Sequence, residues 1–255
     1  MIIQKMCLQQ FSNETKDRPM ALHVSPIGLI RLGVNNDKRF NRLNQFLNEV
    51  HKHNGNIALP TFSYSYVNNE IYNMQNTCSR LDVVSEYLRK KNKLKRTADP
   101  NFSYLLFGNN FSNEHFKVQN YNSFGNNSLI DELYTKDGYL GAIGGILEHL
   151  TEIHYLERRI KVHYRSDKIF EGVTIDRNKD QKTTSVEYFC RFLDSDYVPS
   201  FAKLKQDLRK YNIVKKWHIE KYNLRIEVVK FKDVLSLIKD KIKDNPEYLL
   251  KKKLD

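Results

Sequence analysis

Residues 21–60, ALHVSPIGLIRLGVNNDKRFNRLNQFLNEVHKHNGNIALP, decide the fold. An apolar run over 21–24 ends in a polar turn, and residues 36–51 place Phe40, Leu43, Phe46, Leu47 and Val50 at helical spacing. His53, Asn54 and Gly55 signal a loop, after which residues 56–60 read as a second short strand. Strand, helix and strand in that order predict a βαβ crossover and hence parallel strands in an α/β sheet.

Working outward, residues 81–90 read as a helix, 102–108 as a strand or short helix, and the Asn-rich stretch 109–127 as largely loop. Lys136, Asp137 and Gly138 make a turn before a buried strand over 139–143. Gly144 and Gly145 pass the chain into a helix over 146–160, with Ile146, Leu150, Ile153 and Ile160 on one face. A strand over 185–193 follows, then a helix over 201–211, a hairpin over 213–229 and a last helix over 234–242. No repeat, heptad array or Gly/Ser linker divides the chain. The expected fold is α/β, a mixed, largely parallel central sheet flanked by helices. It forms one domain over 1–255, with a core to residue 200 and a basic helix–hairpin–helix elaboration over 201–255.

With 255 residues, 40% of them hydrophobic, the chain can bury a sizeable core and is too apolar for a disordered polyelectrolyte. The longest uninterrupted apolar stretch, 140–147, is far short of the roughly 20 residues a membrane span needs. No secretory signal opens the sequence, so a cytoplasmic location is expected. Cys7, Cys78 and Cys190 are odd in number and widely spaced, which argues against a disulfide framework and a structural zinc. The net charge of +12 attracts polyanions, whether nucleic acid, an anionic membrane or a phosphorylated small molecule. Its densest run is Arg89, Lys90, Lys91, Lys93, Lys95 and Arg96, and residues 201–255 hold 16 Lys or Arg against 8 Asp or Glu.

Three constellations could carry chemistry. At 100° per residue, Thr151, His154 and Glu157 form a stripe beside the apolar face, offering a hydroxyl, an imidazole and a carboxylate to one cleft wall. A surface His/Glu pair would show the same spacing. His149 and His154, five apart, fall on different helical faces and do not make a zinc pair. Arg96, Thr97, Asp99 and Ser103 bracket Pro100 in a stiff loop with anion-binding donors and an acceptor, or alternatively a capped turn. The loop carrying His23, Ser25, Gly28, Arg31 and Gly33 leaves a strand as a phosphate-binding loop would, without a Walker or dinucleotide fingerprint. Cys78 as a nucleophile with His154 as its base lacks any local group that would depress its thiol pKa.

In order along the chain, these segments resemble the aminoglycoside 3-N-acetyltransferase family. His23 and Ser25 match that family's His-x-Ser loop, and Gly55, Asn56 and Pro60 its Gly-Thr-x-x-x-Pro strand with Asn for Thr. Arg96, Thr97, Asp99, Pro100, Ser103 and Gly108 match its Arg-Ser-x-His-Pro-x-x-Ser loop and closing glycine, with Thr for Ser and Asp for His. Gly125 and Ser128 match Gly-x-x-Ser-Pro, with Leu129 in place of Pro, and Thr151, His154 and Glu157 match Thr-x-x-His-x-x-Glu completely. The match covers residues 22–168. Its Asp-Pro-x-Phe-Ser variant looks like relatives found among bacterial surface-polysaccharide genes.

The resemblance implies acetyl transfer from acetyl-CoA, as co-substrate, to a sugar amine. His154 would be the general base, with its tautomer fixed by Glu157 or by a tail carboxylate, Glu187 or Asp194. Thr151 or Ser103 would help hold the oxyanion. The phosphates of coenzyme A would lie on His23, Ser25, Gly28, Arg31, Gly33, Arg96, Thr97 and Ser103, and Asp99, Tyr64 and Glu187 would face the acceptor. Direct transfer is expected, since no activated thiol is evident, and no metal is called for. A nucleotide-linked or lipid-linked amino sugar is the expected acceptor and an aminoglycoside the alternative, because a net charge of +12 disfavours capture of a polycation. A homodimer is left open. A basic nucleic-acid-binding module without catalysis is the competing reading from another class.

Overall fold

The computed structural model describes residues 4–5, 8–30, 32–33, 35–91, 95–144 and 150–253. Cys7, Arg31, Lys93, Gly145, Ile146 and His149, named above, lie outside the described residues. The strands are β1 (Gln4–Lys5), β2 (Met20–Val24), β3 (Ile57–Pro60), β4 (Tyr72–Asn73), β5 (Tyr104–Phe107), β6 (Tyr121–Asn122), β7 (Tyr139–Ile143), β8 (Arg165–Ile175), β9 (Gln181–Arg191), β10 (Tyr197–Pro199), β11 (Lys215–Ile219), β12 (Leu224–Lys230) and β13 (Leu250–Lys252). The helices are α1 (Leu8–Asp17), α2 (Pro26–Ile30), α3 (Asn36–Lys52), α4 (Val83–Lys91), α5 (Leu129–Thr135), α6 (Ile153–Arg159), α7 (Ala202–Lys210) and α8 (Phe231–Asp244).

The βαβ unit forms as its periodicity requires. Asn35 caps α3 by accepting from the Lys38 amide at 2.9 Å, and Asp37 and Lys52 place charge of the favourable sign at the two ends. Leu43, Phe46, Leu47 and Val50 are fully buried, each contributing about 1.5–3 kcal/mol of apolar burial. The helix stops at Asn54, which takes a left-handed conformation, and β3 returns parallel to β2.

Seven strands make the central sheet in the order β1-β11-β12-β7-β2-β3-β5. Five of them run the same way, with β12 and β5 opposed. This is the mixed, largely parallel sheet expected, and α7, the β11–β12 hairpin and α8 appear in the order read from the tail. The hairpin is laid into the sheet itself, between β1 and β7. Alternation along β2 and β7 separates two cores. Met20, Leu22, Val24, Tyr139 and Ile143 pack with α1, α3 and α4, while Ala21, Leu140 and Ala142 pack with α5 to α8. His23 shares the face of Ala21, so its side chain leaves the carboxyl end of β2 toward α6.

The longest elements unread in the sequence are α1 and β8; α2, α5 and the short strands β1, β4, β6, β10 and β13 also went unread. β8 pairs with β9 over eleven residues each, and β4 and β6 flank this hairpin as a second sheet. No described helix is long and apolar enough to cross a membrane.

Candidate active site

Of the helix expected over 146–160, residues 146–149 lie outside the described residues and α6 begins at Ile153, since Thr151 and Glu152 form a turn ahead of it. The Thr151 carbonyl accepts the His154 amide at 3.0 Å, so Thr151 remains beside the histidine. His154 Nδ1 lies 2.6 Å from Glu157 Oε2. A carboxylate only accepts, so Nδ1 carries the proton and Nε2 keeps its lone pair.

Glu157 is fully buried and three groups hold its charge. Tyr164 donates its hydroxyl to Oε1 at 2.8 Å, Arg165 Nε stands 2.8 Å from Oε2, and His154 takes the same oxygen. Burial would raise this carboxyl, but His154, Arg165 and Tyr164 outweigh it and hold it below the usual carboxylate range. Arg165, itself buried, also donates Nη1 to the Phe189 carbonyl and brings Nη2 to 3.4 Å from His154 Nε2. For His154, burial is the largest influence and lowers the pKa. Glu157 opposes that and the Arg165 charge adds to it, so the ring titrates below an ordinary histidine. The imidazole is therefore neutral near neutral pH, with its proton on Nδ1. Edge contacts with Phe124 and Phe201 fix its plane. It opens on a cleft of about 510 Å³ walled by Thr151, Arg165, Tyr188, Arg191, Phe201 and Lys251.

A second histidine–carboxylate pair stands behind the first. Glu152 is fully buried and places its two oxygens 3.0 and 2.9 Å from His23 Nε2, while Tyr104 donates to Oε1 at 2.8 Å. Against the raising effect of burial, His23 and Tyr104 hold Glu152 below the usual carboxylate range. Glu152, Tyr104, Tyr164, Arg165 and Tyr188 were missed by sequence reasoning. His23 and Glu152 are 129 positions apart, and nothing in the sequence couples them.

The structure brings Thr151, His154 and Glu157 together and ties His23 to the same helix. Tyr64 lies close by, its phenol pushed up to about 12 by burial and by Tyr188 and Glu152. Ser25 caps α2 by accepting the Gly28 amide at 2.8 Å, and Gly28 packs so tightly on β7 that a Cβ there would fall 2.3 Å from the Ile143 carbonyl oxygen. The Gly33 carbonyl accepts Arg39 Nε at 2.7 Å. Gly28, Ile143, Gly144, Lys216, His218 and Arg225 border a separate cleft of about 370 Å³.

Other expectations are corrected. Arg96 is buried, stacked on Tyr72, donates to the Thr61 and Thr77 carbonyls and the Thr61 and Ser103 hydroxyls, and borders neither cleft. Ser103 donates to the Thr61 carbonyl and Thr97 accepts the Tyr104 amide, so neither faces a ligand. Asp99 closes its own loop by accepting the Asn101 and Phe102 amides, each at 2.9 Å. Glu187 is held by Arg158 and Asn122, each at 2.7 Å, and Asp194 is exposed, so neither serves His154. Cys78 is exposed and does not line the His154 cleft. Arg96→Met should accordingly lower unfolding free energy by about 2–4 kcal/mol, because buried acceptors lose their donors. Urea denaturation checks this, and an unchanged midpoint with weakened coenzyme A binding would restore the ligand role.

The profile of the aminoglycoside 3-N-acetyltransferase family matches residues 28–241. No curated protein is similar enough in sequence to match. Among solved structures, AAC-IIIb in a binary complex with CoASH shares the fold with a TM-score of 0.68 at 13% identity, covering 94% of this chain and 98% of that one. AAC-VIa bound to sisomicin gives 0.68 at 15%, covering 94% and 98%. The YokD protein from Bacillus subtilis gives 0.64 at 14%, covering 95% and 96%. With the family profile spanning most of the sequence, the chain belongs to the aminoglycoside 3-N-acetyltransferase family and is an acetyl-CoA-dependent N-acetyltransferase.

Proposed function

We propose that this protein acetylates an amino sugar used in bacterial surface-polysaccharide synthesis, by direct transfer with His154 as general base. The observation that carries the mechanism is the buried Glu157 on Nδ1 of an imidazole that lines the cleft, with only the long 3.4 Å contact from Arg165 Nη2 on Nε2. An amine attacks a thioester only through its nitrogen lone pair, so a proton must leave it at or before attack. The new C–N bond forms as Nε2 takes that proton. Collapse of the tetrahedral intermediate then breaks the C–S bond, and the imidazolium returns the proton to the departing coenzyme A thiolate.

Thr151 is the hydroxyl best placed to donate to the oxyanion, since Ser103 is committed elsewhere. The coenzyme A phosphates fit the cleft where the loop of Ser25 and Gly28 meets Lys216 and Arg225. That takes the place of the role given to Arg96. An aminoglycoside acceptor is the second reading, supported by family membership and by the relative bound to sisomicin.

Mass spectrometry of amino sugars incubated with acetyl-CoA and the protein tests this. The expected result is one added acetyl group on a sugar amine with stoichiometric release of free coenzyme A. Release of coenzyme A without any acetylated amine would remove the acceptor class.

A further inference from the structure

We infer that the acceptor carries a phosphoryl group, and that Arg191 and Lys251 hold it in the cleft of His154. This rests on the proposal that this cleft takes the acceptor while the donor's phosphates lie beside α2. Three cations line the cleft: Arg165, Arg191 and Lys251. Arg165 is neutralised by Glu157 at 2.8 Å. Arg191 and Lys251 are exposed and have no carboxylate partner among the described residues. No Asp or Glu of the described residues lines this cleft. The nearest acidic positions on the hairpin, Asp167 and Glu187, are both paired with Arg158, at 3.0 and 2.7 Å.

The backbone adds a second observation. Arg165 and Arg191 are directly opposed across the β8–β9 hairpin. Arg165 keeps its charge on Glu157, so the register sets the free cation of Arg191 beside the His154 ion pair with no carboxylate of its own among the described residues. Lys251 reaches the same space from β13, which pairs with β10 through Val198. Ser200 and Thr151 supply hydroxyls, and Tyr188 and Phe201 supply flat walls for a sugar or base. At about 510 Å³ the space suits a sugar bearing phosphate or nucleoside diphosphate. A polycation would meet unpaired positive charge at the entrance.

The test compares uridine diphosphate glucosamine, glucosamine 6-phosphate, glucosamine and sisomicin as acceptors, with the wild type and with Arg191→Glu/Lys251→Glu. Either phosphorylated sugar should exceed glucosamine in kcat/KM by at least about tenfold, and the double variant should abolish that ratio. The better of the two tells a nucleotide-linked from a simple sugar phosphate. The coenzyme A dissociation constant, by calorimetry, should stay within about twofold, since its phosphates lie elsewhere. Preference for sisomicin or glucosamine overturns the inference, as does charge reversal that weakens coenzyme A instead. If no amine is acetylated, the catalytic proposal fails separately. Calorimetric binding of uridine diphosphate glucosamine then decides: binding lost in the double variant sustains the inference, and no binding to the wild type refutes it.

Discussion

Replacing His154 with alanine should lower kcat/KM for acetyl transfer by about 10²–10⁴, the range for loss of a positioned general base. The dissociation constant for coenzyme A should stay within about twofold, because the ring lines the cleft proposed for the acceptor and not the one beside α2. The fold should survive, since Glu157 keeps Arg165 at 2.8 Å and Tyr164 at 2.8 Å when the imidazole is gone. That retention separates chemistry from folding. A variant that binds coenzyme A, melts like the wild type and still turns over within about tenfold would show that the amine loses its proton to another group.

What the sequence disclosed follows from what periodicity can see. α3 buries one clean face and the strands beside it, buried on both, read as short apolar runs between turns, so the pattern announced both element and topology. β8 did not. Of its eleven residues only Arg165 and Thr174 are buried, and no alternation survives for a pattern to catch. The site divides in the same way. His154 and Glu157 interact across one helical turn, which residue spacing encodes. His23 with Glu152, and Arg165 with Phe189, meet through topology alone. Arg96 shows the opposite failure: a guanidinium in a polar loop reads as a ligand hook, whereas here it is an internal brace for carbonyls that no strand satisfies.

Glu157→Gln should be the most destabilising single change at the site, costing about 3–5 kcal/mol in urea denaturation, because it leaves the Arg165 guanidinium buried without a counterion. The amide can still accept from His154 Nδ1 with its one oxygen and turn its NH₂ to the Tyr164 hydroxyl, so the tautomer is retained. Basicity is not. Glu157 is the charge that raises the His154 pKa against burial and Arg165, so removing it depresses the ring further. The titration of labelled His154, followed by NMR, should move to lower pH, and turnover should fall about ten- to a thousandfold as the base weakens. Arg165→Met should move that titration the opposite way.

Because the two residues form one buried pair, Glu157→Gln/Arg165→Met should recover most of the stability lost by Glu157→Gln alone. Acid provides an independent reading. The Glu157 carboxyl is held below its unfolded value, so its contribution is complete above about pH 4.3 and lost as pH falls through the folded value. The stability gap between wild type and Glu157→Gln should therefore close on acidification. A gap that is constant from neutral pH to the acid transition would mean that the glutamine is misplaced sterically, and that the charge of Glu157 is not what Arg165 and His154 require.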